Sequence, residues 1–438
     1  MLIAESLYVA AVLAASPVLP LLSRGSGKLA QGIRGRRCVL DRIEAWALTE
    51  RDPARPLVWF HAPSVGEGLQ ARAVVEAFRA RRSDAQVAYT FFSPSAERFA
   101  MTVPADFVDY LPFDFPGDVR RALELLRPDV LAFSKTDVWP VLTREAKRRA
   151  VRLAMLSGTL PPGSSRLTGG ARALLAPSYG RLDRVAAISP ADAERFGALG
   201  VSAERRSVMG DARFDQVWKR AANVDRGSPH LRAAGAPDRP TLVAGSTWPP
   251  DEERLVPSVR ACLDAGEPVR LVLVPHEPTP AHLGETEALL DRHGLANARL
   301  SAVEAGAAAR DVVLVDRVGI LGDLYAAGDL AYVGGGFGTA GLHSVLEPAA
   351  FGLPVLFGPR HANAREAADL VEAGGAWSLP DGDTLAGRLR SLLSDGAARR
   401  AAGARARAYV QEGLGAAERG AAVVEALLVP GSEAVPGR

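Results

Sequence analysis

Short apolar runs alternate with helix-length segments along this chain, and they do so in two successive blocks. Residues 57–61, 86–90, 130–133, 184–188 and 206–209 read as strands, with helical periodicity at 69–82 and 119–126. The pattern restarts at 241–244 and continues at 269–274, 312–315, 330–333 and 354–357. Strands alternating with helices give a parallel sheet covered on both faces. Between the blocks, residues 223–239 mix Gly, Pro, Asp and Arg without apolar periodicity, as a linker would. The expected layout is therefore α/β. It has an N-terminal segment 1–35, a Rossmann-like domain 36–222, the linker 223–239, a second Rossmann-like domain 240–415, and a closing helix and tail 416–438. In such folds ligands sit beyond the carboxyl ends of the strands, and two such domains are expected to face a cleft.

Composition removes several function classes. The chain of 438 residues has 52 Lys+Arg against 50 Asp+Glu, a net charge of +2. That is no basic surplus, so nucleic acid is not an expected partner. The two cysteines, Cys38 and Cys262, are far apart and form neither a CxxC site nor a disulfide framework. There is no HExxH and no DxD at a strand end, so no metal is implied.

The first 22 residues are apolar apart from Glu5 and a few neutral polar groups, and Pro17 and Pro20 interrupt them. Positive charge follows the apolar stretch, at Arg24, Lys28, Arg34, Arg36 and Arg37. A signal peptide carries its charge on the other side. If the segment inserts, the positive-inside rule keeps that flank and the globular body in the cytoplasm. A segment that associates with a membrane and an ordinary buried helix are both compatible with the pattern.

The unusual residue clusters fall directly after expected strands. His61-Ala-Pro-Ser64-Val-Gly-Glu67 follows the first, and Ser64 and Glu67 have capping-box spacing. The functional alternative makes Glu67 a general base. Ser134-Lys135-Thr136-Asp137-Val-Trp139-Pro140 follows another strand and offers a lysine and an acid. Arg213 either meets a phosphate or pairs with Asp211 or Asp215. In the second block, Ser246 and Thr247 follow the first strand and Pro275 and His276 the second. Val318, Gly319 and Ile320 precede a helix, and Gly335, Gly336, Phe337 and Gly338 lead towards His343, Ser344 and Glu347. Glycines let backbone approach a ligand, and a helix start offers N–H groups to a phosphate. These positions suit a nucleotide, with Glu347 accepting from ribose hydroxyls.

Taken in order, eight motifs resemble the Kdo (3-deoxy-D-manno-octulosonic acid) transferases of lipopolysaccharide assembly. They are Ser64-Val-Gly-Glu67, Thr90-Phe-Phe-Ser-Pro-Ser95, Tyr110-Leu-Pro-Phe-Asp114, Lys135-Thr-Asp-Val-Trp-Pro140, Gly210-Asp-Ala-Arg-Phe-Asp215, Gly245-Ser-Thr-Trp248, Pro275-His-Glu277 and the block 334–347. The resemblance implies the GT-B fold and inverting transfer of Kdo from CMP-Kdo to a hydroxyl of the anionic lipid A precursor. The expected place is the cytoplasmic face of the inner membrane, at the membrane surface. CMP-Kdo is the donor substrate, and no cofactor or metal is expected.

By the same resemblance, Glu67 is the proton acceptor, and Asp137 and Arg213 stabilise the transition state. Pro275, His276, Val318 to Ile320, Ser344 and Glu347 contact CMP. The chain departs from the family pattern where Pro-Arg-His is Pro275-His276-Glu277, where Gly-Glu is Gly319-Ile320, and where His-Asn is His343-Ser344. The readings to be separated from Kdo transfer are a transferase of another CMP-activated sugar, a soluble sugar-nucleotide epimerase of the same fold, and a non-catalytic binding protein.

Overall fold

Residues 2–428 are described by the computed structural model, and they form two compact units. The first takes the described residues up to Gln216 together with those from Leu414 onwards, and the second is Val217–Gly413. Residues 223–239, expected as a linker, lie within the second unit. They hold helix Pro229–Ala234, whose Leu231, Ala233 and Ala234 are buried against Val243 and Val272. Three apolar residues on one short turn leave no periodicity to read.

The first unit is built on a seven-stranded parallel sheet. Its strands are β1 Leu57–His61, β2 Gln86–Phe91, β3 Phe107–Tyr110, β4 Val130–Ser134, β5 Arg152–Gly158, β6 Arg184–Ala187 and β7 Arg206–Val208. The order is β3-β2-β1-β4-β5-β6-β7. Phe60 lies between Tyr89 on one side and Ala132 on the other. Central strands are buried on both faces, so they read as continuous apolar runs. Trp59, Phe60, Phe78, Tyr89 and Phe133 fill the core.

The second unit repeats the plan with β8 Thr241–Thr247, β9 Arg270–Pro275, β10 Asn297–Arg299, β11 Val312–Leu314, β12 Leu330–Val333, β13 Val355–Phe357 and β14 Ala376–Ser378. Their order is β10-β11-β9-β8-β12-β13-β14. Each sheet has seven strands where five were expected. The unexpected β3, β10 and β14 are short strands at sheet edges, and β3 carries the charged Asp109. β5 reads Arg-Leu-Ala-Met-Leu-Ser-Gly, whose Leu, Ala and Met favour a helix on propensity. Burial between β4 and β6 overrides that preference.

Helix Ala416–Leu428 packs on helix Val65–Arg81 of the first unit. The contact is close because position 420 is glycine: a Cβ there would lie 2.8 Å from Met209 Cε and 3.1 Å from Val74 Cγ2. Asp215 caps the incoming helix, accepting from Gly415 N at 2.7 Å and Ala417 N at 2.9 Å.

The apolar N-terminus is helix Leu2–Ala15, continued by Ser16–Val18 and Leu19–Leu22. By length and composition, Ala4–Leu22 suffices to cross a membrane, with mean hydropathy 1.6. Leu7, Leu13, Val18, Leu21 and Leu22 are exposed. The single acid in the stretch is not. Glu5 is buried, and its two oxygens accept from Arg181 at 2.5 and 2.9 Å. Tyr8 reaches the buried carboxyl of Asp114, which also accepts from Val141 N and Leu142 N at the start of helix Pro140–Arg148. The helix is therefore fastened to the first unit by polar side chains and by Tyr8 and Val9 against its core, while Leu7 and Leu13 face outwards.

Candidate functional site

In the first sheet the chain order reverses at β1 and β4, the place where α/β sheets bind ligands. Helix Val65–Arg81 begins four residues after β1, so Glu67 lies in its first turn. Ser64 is the N-cap but makes no side-chain capping bond, so the capping-box reading does not hold. The Glu67 carboxylate instead meets Lys135, whose Nζ lies 3.3 Å from Oε1. Glu67 is mostly enclosed and Lys135 half-exposed, with 17% and 43% of their side chains accessible.

Lys135 leaves β4 with φ +70°, a left-handed conformation that a lysine seldom adopts. Such strain costs about 1–3 kcal/mol and persists only where its surroundings impose it. Here they do. Lys135 N donates to Leu156 O at 2.8 Å, its carbonyl accepts from Thr159 N at 3.2 Å, and Ser134 Oγ donates to Glu67 O at 3.2 Å. Two residues on, Asp137 pairs with Arg166 at 2.5 Å.

His61 and Trp139 brace this turn from below. The His61 ring has no exposed surface, and its Nδ1 lies 3.1 Å from both Thr90 O and Thr90 Oγ1. Its Nε2 accepts from Trp139 Nε1 at 3.3 Å, and Trp139 stacks on Phe92 at 5.0 Å. Burial pushes the imidazole down to about 3, so it is neutral at physiological pH.

Arg213 pairs with Asp211, through Nε at 2.8 Å and Nη2 at 2.7 Å, and Asp211 also accepts from Gln70 Nε2 at 3.0 Å. Gln70 lies one turn after Glu67, so the carboxylate and the arginine are linked through one helix face. Asp215, the other expected partner of Arg213, is the cap of helix Ala416–Leu428.

The second sheet reverses at β8 and β12. Ser246 and Thr247 end β8, Pro275 ends β9, and the glycine-rich segment follows β12, so the structure gathers them on three adjacent strands. The three rings cluster: His276 stacks on Trp248 at 4.8 Å and on His343 at 4.4 Å, and Trp248 Nε1 donates to His343 Nε2 at 3.2 Å. Burial, then His276, pulls His343 below the usual imidazole range. Thr247 turns inwards, its hydroxyl donating to the buried Glu252 at 2.8 Å.

Asp251 holds the glycine-rich segment. Fully buried, it accepts from Tyr332 Oη at 2.9 Å, Gly335 N at 2.8 Å, Phe337 N at 3.3 Å and Trp248 N at 3.0 Å. Gly336 runs against Gly358, where a Cβ would sit 2.6 Å from backbone nitrogen. Gly338 O accepts from Arg360 Nη1 at 3.2 Å.

The helix expected after this segment is only Leu346–Ala350, so His343 and Ser344 precede it and Glu347 is its second residue. Burial pushes the Glu347 carboxyl up, with Arg220 opposing and Asp323 adding to the shift. Val318 is exposed, Gly319 has φ +94°, and Ile320 precedes the turn Leu321–Leu324, all after the neighbouring β11. Among the described residues no group of three or more His, Cys, Asp or Glu converges as a metal site.

Residues 39–216 match the sequence profile of the 3-deoxy-D-manno-octulosonic acid transferases (kdotransferases). The 3-deoxy-D-manno-octulosonic acid transferase of Bordetella pertussis is 32% identical over 381 residues, 84% of this chain and 86% of that protein. The chain belongs to this family. The Haemophilus influenzae Kdo transferase is 27% identical over 366 residues, 83% of this chain and 85% of that protein. The UDP-GlcNAc 2-epimerase of Neisseria meningitidis shares the GT-B fold, with TM-score 0.60 over 85% of this chain and 99% of that one. At 12% identity that likeness concerns the fold alone. The Kdo transferase relationship thus makes the chain a glycosyltransferase rather than an epimerase.

Three side chains of these arrangements escaped the motifs. Arg166 has no motif around it and its partner Asp137 lies 29 positions away, while Asp251 follows the Gly245–Trp248 motif but reaches Gly335, 84 positions on. Arg36, read only as part of a basic flank, is buried. It donates to the carbonyls of Gly32, Phe92 and Leu111 and lies over the Phe92 ring at 3.9 Å.

Proposed function

We propose that this enzyme transfers Kdo from CMP-Kdo to a hydroxyl of the lipid A precursor lipid IVA, in the assembly of the lipopolysaccharide core. The observation that carries the reading is the match to a Kdo transferase along 84% of the chain. Glu67 is the general base and takes the proton of the acceptor hydroxyl as that oxygen attacks the anomeric carbon. The new C–O bond forms while the bond from that carbon to the phosphate oxygen breaks. CMP leaves with the electron pair, and the configuration inverts. Arg213, fixed by Asp211, opposes the negative charge that develops on the leaving group.

In this reading the second unit holds the donor. The Trp248, His276 and His343 rings offer stacking faces, the glycine-rich segment lets the phosphate approach backbone, and Ser344 and Glu347 meet the ribose. Pro275, Val318, Gly319 and Ile320 complete the wall, and the chain's own side chains suffice without metal or cofactor. The outward apolar side chains of the N-terminal helix associate with the membrane, at the cytoplasmic face of the inner membrane, where the lipid acceptor is found.

The test incubates purified protein with freshly generated CMP-Kdo and lipid IVA and weighs the lipid by mass spectrometry. A lipid heavier by whole Kdo units is expected. A different mass increment points to another CMP-activated sugar, and an unchanged lipid with an altered nucleotide sugar refutes transfer.

A further inference from the structure

The turn after β4 carries a second charged pair. Arg166 Nη2 donates to Asp137 Oδ1 at 2.5 Å, and 32% and 38% of the two side chains remain accessible. Arg166 comes from the segment after β5, in the turn Ser165–Leu167, where its backbone N donates to Ser164 Oγ at 3.4 Å. Pro161 and Pro162 stiffen the approach to that turn. Tyr179 backs the arrangement. Its hydroxyl donates to Thr136 O at 2.5 Å, between Lys135 and Asp137, and it also lies against the Arg166 guanidinium. Two adjacent strand ends thus fix a guanidinium on the turn that brings Lys135 to Glu67.

Transition-state stabilisation was expected of Asp137 itself. A carboxylate can oppose the positive charge that builds up on the sugar, but it has the wrong sign to bind an anion. Its partner has the right one. A guanidinium presents five N–H donors in a planar fork that matches carboxylate and phosphate oxygens. Asp137 engages the fork through one amine and sets the direction of the rest.

We propose that Arg166 is an oxyanion-binding residue of the transfer site, taking a phosphate monoester or a carboxylate of a substrate, and that Asp137 is the positioning residue that aims it. The proposal rests on the transferase reading above. The acidic group is either a phosphate of the lipid acceptor or the carboxylate of the donor sugar.

The experiment is steady-state kinetics on the full chain and on R166M, R166K, D137N and R166M/D137N. Each substrate is varied in turn, with acceptor carrying two phosphates or one. R166M is expected to raise KM for one substrate by about tenfold or more while kcat stays within about threefold. R166K should recover part of that loss, D137N should raise the same KM, and the double variant should be no worse than R166M.

A rise in acceptor KM that disappears with the monophosphorylated lipid assigns the phosphate, and a rise in donor KM assigns the carboxylate. The proposal is overturned if R166M leaves both KM values within about twofold of wild type, or if the loss lies in kcat alone. Additive effects of R166M and D137N would remove the positioning role of Asp137. Should R166M fail to fold, R166K and D137N read the same parameter. Failure of the transferase reading shows separately, as absence of sugar transfer by the wild type.

Discussion

Lys135 Nζ lies 3.3 Å from Glu67 Oε1, and the lysine reaches it from a left-handed backbone position at the end of β4. Ser64 makes no capping bond, so the first-turn acid is favoured only by the helix dipole, and the strained turn presents a cation to it. Glu67→Gln keeps the shape and the Lys135 contact but cannot take up a proton. Transfer should fall by about 10²–10⁴-fold in kcat, the usual worth of a general base, with CMP binding and thermal stability retained. Calorimetric titration with CMP beside the transfer assay checks this. Near-normal turnover would remove Glu67 from the mechanism.

Buried His61 makes the first unit sensitive to acid. Its pKa is lowered to about 3 in the fold from an ordinary 6.5, so between those values the unfolded chain binds more protons. Stability therefore rises with pH across that window and is lost as pH falls below about 6.5. From pH 7 to pH 5 the group alone contributes a loss of about 2 kcal/mol. Urea melts at the two pH values should show it, and His61→Gln should flatten the difference by that amount. An equal pH dependence in both proteins would mean that other groups set it.

Asp251 accepts from four donors around the glycine-rich segment. Asp251→Asn replaces one acceptor oxygen by an NH2 that faces those donors. The second unit should lose about 2–4 kcal/mol and CMP affinity about tenfold or more, because the segment that approaches the phosphate is no longer held. The melting of the first unit should not move. CMP affinity unchanged in a folded variant would separate the segment from donor binding.

Arg181 holds Glu5 through two hydrogen bonds. Arg181→Ala would leave a carboxylate enclosed without its partner, at a cost of about 1–3 kcal/mol, since the arginine itself is partly exposed. The apolar helix should then detach more often, and trypsin should cut at Arg24 about tenfold faster. Adding Glu5→Gln should recover part of the protection. Cleavage at the wild-type rate would show that apolar contacts alone keep the helix in place.

What the sequence disclosed follows the range of the forces involved. The central strands were legible because burial on both faces writes Val, Leu and Phe in unbroken runs. The edge strands β10 and β14 have three residues each, too few to carry a period, and β5 takes its state from its neighbours rather than from its own residues. Glu67, Lys135, His276 and His343 stood out because strand ends concentrate chemistry. Arg166 did not, since an arginine among Ser, Leu and Thr means nothing until Asp137 is brought to it. The inward hydroxyl of Thr247 was hidden although Glu252 is only five residues on, because the turn into the following helix decides which way it points.

The closing helix Ala416–Leu428 completes the unit that the first half of the chain begins, with Gly420 against Val74 and Met209. During synthesis the nascent chain therefore reaches residue 216 with a strip of helix Val65–Arg81 still uncovered. The whole second unit must emerge from the ribosome before the cover arrives. That interval is the time at which this enzyme is most open to chaperones and to misassociation.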